Sequence, residues 1–182
     1  AVNSALSQAG VVEVIVVDDG STEPLARETL PADQRVRCLR TANGGPGAAR
    51  NFGAAQSSAS ILVFLDADDL LTDAAGEAFE RGFADDDSVE LVRTGYLCER
   101  ADGQADVDLA RVSAGVFPQG PPLTATFAIR ASLFKRIGGY DTAFRFGENS
   151  ELLTRAIADI RHRGGHERYV GEPTLLYRPN EA

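Results

Sequence analysis

Hydrophobic residues in the first 65 positions come in short runs separated by turn-forming residues. Residues 11–17 (Val-Val-Glu-Val-Ile-Val-Val) and 61–65 (Ile-Leu-Val-Phe-Leu) have strand length, and the second reads as a buried strand. Residues 1–9 have helical composition and lead straight into the first run. After it, Asp18-Asp19-Gly20-Ser21-Thr22 supplies turn and capping residues, and Pro24 suits the first turn of a helix reaching about residue 30. The unit repeats with a short strand at 36–39, a glycine-rich loop at 44–47 and an alanine-rich helix over 48–57. Further on, the pattern predicts a helix over 72–83 and a strand at 89–93. From 99 to 122 the periodicity is lost while Asp, Gly and Pro gather, which reads as an irregular crossover loop. Order returns with a strand at 123–130, a short helix ending at Gly138-Gly139, a helix over 148–160, and two short strands near Tyr169 and Leu175.

Strands that alternate with helices predict an α/β fold: a Rossmann-like three-layer α/β/α arrangement around a mostly parallel sheet. In such sheets ligands bind beyond the carboxyl ends of the strands, so the segments after residues 17 and 65 are where a site is expected. A chain of 182 residues fits one domain with one core.

Composition narrows the picture. The 43% hydrophobic and 25% charged shares are those of an ordinary globular chain, and the longest apolar runs fall far short of the roughly 20 residues that span a bilayer. A net charge of −9 argues against nucleic acid as a partner. An acidic protein that takes an anionic ligand needs local help from arginines, backbone amides or a metal ion. Cys38 and Cys98 are too few and too irregularly placed for a zinc site or a disulfide framework, and they read as reduced thiols in a cytoplasmic protein. The acidic run at 85–87 reads as a solvated helix end, and His162 and His166 as cationic side chains at another.

The strongest chemical signal is Phe64-Leu65-Asp66-Ala67-Asp68-Asp69, where a buried strand delivers Asp66 and Asp68 to its carboxyl end. Magnesium and manganese take oxygen ligands and commonly only one or two protein carboxylates, the rest of the shell coming from phosphates and water. The alternative is that these aspartates cap the helix expected near Thr72. A second acidic strand end, Val17-Asp18-Asp19-Gly20-Ser21, is expected on the same edge of the same sheet, with Asp19 able to accept from a base N–H. Between the two lies Gly44-Gly45-Pro46-Gly47-Ala48-Ala49-Arg50-Asn51, where small residues permit close backbone approach and Arg50 offers a fork-shaped cation.

Val-Val-Asp-Asp-Gly-Ser, Gly-x-x-x-Ala-Arg-Asn and Leu-Asp-Ala-Asp-Asp, in this order and spacing, resemble the family 2 glycosyltransferases of the GT-A nucleotide-diphospho-sugar transferase fold. The resemblance continues in Gly138-Gly139-Tyr140-Asp141 with Phe144, and in Gly147-Glu148-Asn149-Ser150-Glu151-Leu152 with Arg155. These are similar to that family's acceptor-side Gly-Gly-Phe-Asp and Glu-Asp-x-Asp-Leu segments.

The resemblance implies a metal-dependent, inverting transfer of a sugar from a nucleotide-diphospho-sugar, with UDP as the nucleotide, to a hydroxyl of a glycan or lipid-linked acceptor. It assigns a nucleotide-sugar part to about 1–95 and an acceptor-side part to about 123–182. Asp19 would contact the uracil with Ser21 beside it, Arg50 would lie by the nucleotide, Asp66 would face the ribose, and Asp68 would hold the Mn2+ or Mg2+ ion. Polysaccharide or glycolipid assembly, often at the inner face of the membrane, is the usual employment of such enzymes.

Two departures stand out. Where the family has the aspartate that serves as general base, this chain has Asn149, whose amide takes no proton at neutral pH. Glu148 is then the candidate base, although the helix macrodipole would favour a carboxylate there in any case, and Glu151 has Arg155 four residues on as an ion-pair partner. The family's first strand is also absent ahead of residue 1, so an upstream strand is expected in the natural reading frame.

Competing readings are weaker. A receiver domain needs a lysine at a late strand end, and the only lysine, Lys135, falls in a helical stretch. A nucleotidyltransferase would carry its glycine-rich phosphate loop after the first strand. The serious rival is a catalytically degenerate module that binds a nucleotide-sugar and transfers nothing.

Overall fold

The computed structural model describes residues 1–99, 105–108 and 123–177. In chain order it contains helix α1 (Val2–Leu6), strand β1 (Val14–Asp19), a 3-10 turn (Arg27–Thr29), β2 (Val36–Thr41), α2 (Pro46–Gln56), β3 (Ile61–Val63), β4 (Leu70–Leu71) and α3 (Ala75–Phe83). There follow β5 (Val89–Glu99), β6 (Ala105–Asp108), β7 (Phe127–Arg130), α4 (Ala131–Arg136), α5 (Glu148–Arg163) and β8 (His166–Tyr177).

The α/β layering holds, and the strand directions correct the expectation of a mostly parallel sheet. β1 and β2 pair in parallel as a two-stranded sheet, and the other strands form a mixed sheet in the order β3-β7-β5-β8-β4, with β6 added to β5. There β5 and β8 run parallel, whereas β3 with β7, β7 with β5, β4 with β8 and β6 with β5 run antiparallel. The two strands expected at the C-terminal end are one, β8, accommodated along β5 by register shifts between Val89 and Leu91 and around Gly95. Within the supposed crossover at 99–122, Ala105–Asp108 extend β5 as an antiparallel partner; the rest of that segment lies outside the described residues.

Alternation along the central strands makes the layers. Leu91, Phe127 and Ile129 point to one face and join Leu133, Phe134, Tyr140 and the α5 residues Leu152, Leu153, Ala156, Ile157 and Ile160. Their neighbours Val92 and Ala128 point to the other, where Ala75, Ala78, Phe79 and Phe83 of α3 cover them. That α3 set recurs at helical spacing. At Gly82 a Cβ would stand 2.5 Å from Val92 Cγ1, so the glycine lets α3 lie close on the sheet. α5 starts after Gly147 and stops at Gly164, both left-handed, with Glu148 and Glu151 in its first turn and Arg161, His162 and Arg163 in its last, as the macrodipole favours.

The helix expected from Pro24 to about residue 30 is reduced to the 3-10 turn. Pro31 holds the preceding Leu30 extended, at ψ 154°, and the Leu25 amide is drawn away to Asp18.

Candidate active site

β1 ends in two carboxylates that do different work. Asp18 is buried: its Oδ1 accepts from the Ser21 amide at 2.8 Å, and its Oδ2 from the Leu25 amide at 3.1 Å and Arg40 Nη1 at 2.9 Å. The Ser21 amide and hydroxyl, then the Leu25 amide, hold its carboxyl down to about 2 against the opposing desolvation, with Arg40 adding to the effect. Asp19 reaches across to the glycine loop, where Oδ1 accepts from the Gly44 amide and Oδ2 from the Gly45 amide, both at 2.8 Å. Gly20, at φ +73°, must be a glycine here, because a Cβ would come within 2.6 Å of the Asn43 amide nitrogen.

That loop opens α2, which carries Arg50 about one turn in. Arg50 Nη2 donates to Asp66 Oδ1 and Nη1 to Glu148 Oε1, each at 2.8 Å. Its guanidinium lies 5.3 Å from the centre of the Tyr140 ring. The next residue, Asn51, grips the Tyr140 backbone twice, donating from Nδ2 to the carbonyl and accepting on Oδ1 from the amide, both at 2.8 Å. Tyr140 Oη in turn donates to Asn149 Oδ1 at 2.9 Å. Burial pushes the Tyr140 phenol well above its ordinary range although Arg50 pulls the other way, so the proton stays on the ring oxygen.

Asp19 and Asp66 both address the N-terminal part of α2, but β1 and β3 belong to different hydrogen-bonded sheets, which corrects the expectation of one edge of one sheet. Glu148 and Asn149, at the start of α5, are brought to the same place across 98 residues of sequence. Ser21 sits beside Asp18 and acts on it. Glu151 is forked by Arg155, which also donates to the carbonyls of Ile137 at 2.6 Å and Gly139 at 2.8 Å.

The helix-cap alternative for the aspartates at 66, 68 and 69 is not what forms. β4 intervenes, and α3 begins after Ala74 with no side-chain cap. Asp68 is exposed and the Asp66 side chain is 44% exposed. Among the described residues no three acidic, histidine or cysteine side chains group as a metal site.

The sequence had not assigned Tyr140 or Asn51 a role. The available signal for Asn51 was its place beside Arg50 in the Ala-Arg-Asn motif; for Tyr140 it was a polar ring edge next to two glycines, Gly138 and Gly139, both at positive φ.

Residues 1–100, more than half of the chain, match the model of the family described as Glycosyl transferase family 2. The chain belongs to glycosyltransferase family 2. Among curated relatives, an uncharacterized glycosyltransferase, EpsJ of Bacillus subtilis, is 28% identical over 93% of this chain and 53% of its own length. The succinoglycan biosynthesis protein ExoO of Rhizobium meliloti is 32% identical over 87% of this chain and 51% of its own. The glycosyltransferase chain described here thus spans about half the length of these two relatives. Crystal structures of S. aureus TarS 1-349 share the fold: the structure named without UDP gives a TM-score of 0.71 at 17% identity, and the complex with UDP gives 0.65 at 18%, each over 97% of this chain and 55% of the other. The fold is that of the family, GT-A.

Proposed function

We propose that this domain transfers a sugar from a UDP-sugar to an acceptor hydroxyl in polysaccharide assembly, with a divalent cation at Asp68 and inversion at the anomeric carbon. The observation that carries the reading is Arg50, whose one guanidinium joins Asp66 on the nucleotide side to Glu148 on the acceptor side. The two halves of the motif set therefore meet at one side chain. The UDP complex of the structurally similar TarS and the succinoglycan role in the name of ExoO support the donor and the pathway class.

In this reading the Asp19-braced loop holds the nucleotide, and Asp66 and Asp68 face the ribose and the diphosphate. A bound manganese or magnesium ion would supply neutralisation of the charge that develops on the departing diphosphate. Glu148 keeps Oε1 on Arg50 and uses Oε2 to accept the proton of the attacking hydroxyl. Attack opposite the diphosphate in a single displacement gives inversion. Among the described residues no helix is long and apolar enough to cross a membrane. A cytoplasmic setting, at the membrane's inner face when the acceptor is lipid-linked, accords with a nucleotide-sugar donor.

Titration calorimetry with UDP tests the reading. Binding should require manganese and weaken at least tenfold in Asp68→Asn, while the thermal melt stays put; binding indifferent to both manganese and the substitution would sink it. The second reading, a binding module without turnover, is favoured by the amide at Asn149. Manganese-dependent UDP binding with no turnover of UDP-sugars, in the wild type or in Asn149→Asp, would select it.

A further inference from the structure

Glu148 and Asn149 are consecutive at the start of α5 and are held by neighbours that lie together, the Arg50 guanidinium standing 5.3 Å from the Tyr140 ring centre, and each has one polar side-chain atom engaged and one left over. Arg50 holds Glu148 Oε1, and Tyr140 holds Asn149 Oδ1. Among the described residues Glu148 Oε2 and Asn149 Nδ2 have no partner, and neither is sealed from solvent.

Tyr140 decides which end of the Asn149 amide is left. The residue is 2% exposed, and its ring stands edge-on to Phe64 and Phe134, with centroids 5.2 Å and 5.8 Å away. With the backbone gripped by Asn51, only the O–H bond is free to turn. A buried phenol must place its hydrogen on an acceptor, and Asn149 Oδ1 is in reach. Turning the amide over would leave that hydrogen without an acceptor among the described residues.

We propose that Tyr140 is a positioning residue that makes position 149 a hydrogen-bond donor, so that Glu148 Oε2 and Asn149 Nδ2 together take one neutral sugar hydroxyl of the glycosyl acceptor. The proposal rests on the glycosyl-transfer reading above. A hydroxyl both donates and accepts, and an adjacent carboxylate and amide complement it; a phosphate would meet the Glu148 charge, and an ammonium the amide hydrogens. On transfer the O–H bond breaks and its proton passes to Glu148. The oxygen forms the new bond to the anomeric carbon, and the electron pair of the old bond leaves with the diphosphate oxygen.

Two experiments test this separately. The hydrogen bond is read by carbon NMR titration, without turnover. In Asn149→Asp the new carboxylate accepts from Tyr140 and should titrate about one pH unit lower than in the Tyr140→Phe/Asn149→Asp double variant. Equal titration overturns the positioning role. The ligand is read by saturation-transfer NMR with methyl pyranosides of glucose, galactose and mannose, in the presence of UDP and manganese. The wild type should bind at least one of them, and Tyr140→Phe and Asn149→Leu should each weaken that binding tenfold or more, with melts that show the fold intact. Wild type that binds none, or variants that bind as well as wild type, overturn the hydroxyl assignment. Failure of wild type to bind UDP would remove the donor reading, and the acceptor assignment with it, while the titration still decides the role of Tyr140.

Discussion

The two rims of the candidate site are built from the same residue types used in opposite ways. At the end of β1, Asp18 and Asp19 give their oxygens to backbone amides: Ser21 and Leu25 for one, Gly44 and Gly45 for the other. At the start of α5, the polar atoms of Arg50, Glu148, Tyr140 and Asn149 are exchanged among side chains, with an oxygen of Glu148 and a nitrogen of Asn149 left open. Carboxylates of the first kind fix the path of the chain, so substitution there acts on the fold. Those of the second kind tie side chains of distant segments together, so substitution there acts on how the segments meet.

Arg50→Met strikes where the rims meet and should have the largest effect. It leaves Asp66 and Glu148 without their shared cation, a loss of about 3 kcal/mol carried by the mostly buried Arg50–Glu148 pair, the 44% exposed Asp66 being screened by solvent and adding little, measurable by urea unfolding. Arg50→Lys should rescue only part of it, because a point charge cannot fork between two carboxylates. If Arg50→Met melts like wild type, the rims are held by something else.

Asn51→Leu removes both bonds to the Tyr140 backbone and should lower stability by about 2 kcal/mol in the same assay. Gly139→Ala is a milder attack on that contact. It forces an alanine to φ +70° with its Cβ 2.5 Å from Asn51 Oδ1, for an expected loss of about 1 kcal/mol.

The smallest effect is confined to acid and tests the β1 rim alone. The Asp18 carboxyl is lowered from 3.8 to about 2, so its contribution is complete above the upper value and is lost as pH falls through the lower. The gap between the melting temperatures of wild type and Asp18→Asn should therefore be constant near neutrality and close between about pH 4 and pH 2. A gap that persists at pH 2 would show that Asp18 acts by shape without its charge.

Much of this was legible in the sequence because it is local. β1, the α2 helix and α5 follow from runs and spacing, and the carboxylate at 19 from the strand end that carries it; β3 stops at Val63, short of the expected residue 65, so Asp66 and Asp68 stand in the loop before β4. What was not legible is relational. Nothing near Arg50 announces that its guanidinium will be taken up by Asp66 and by Glu148, 98 residues away, where the motif pointed to the nucleotide. The strand directions were hidden for a similar reason: β7 reads like any buried strand, and only its pairing with β3 and β5 reveals it as antiparallel to both. The two-residue β4 is too short to carry a period, so it went unread between the acidic motif and the helix expected from residue 72.

The separate hydrogen bonding of β1 and β2 has a dynamic consequence. Among the described residues they pair only with each other, while β5 is flanked by β7 and β8 in the mixed sheet. A two-stranded pair is not self-sufficient and depends on what packs against it, so amide deuteration should reach β1 and β2 well before the interior of β5. A nucleotide that bridges the β1 end to the α2 loop would slow that exchange selectively, and the segment that recognises the donor would be the one most tightened by it.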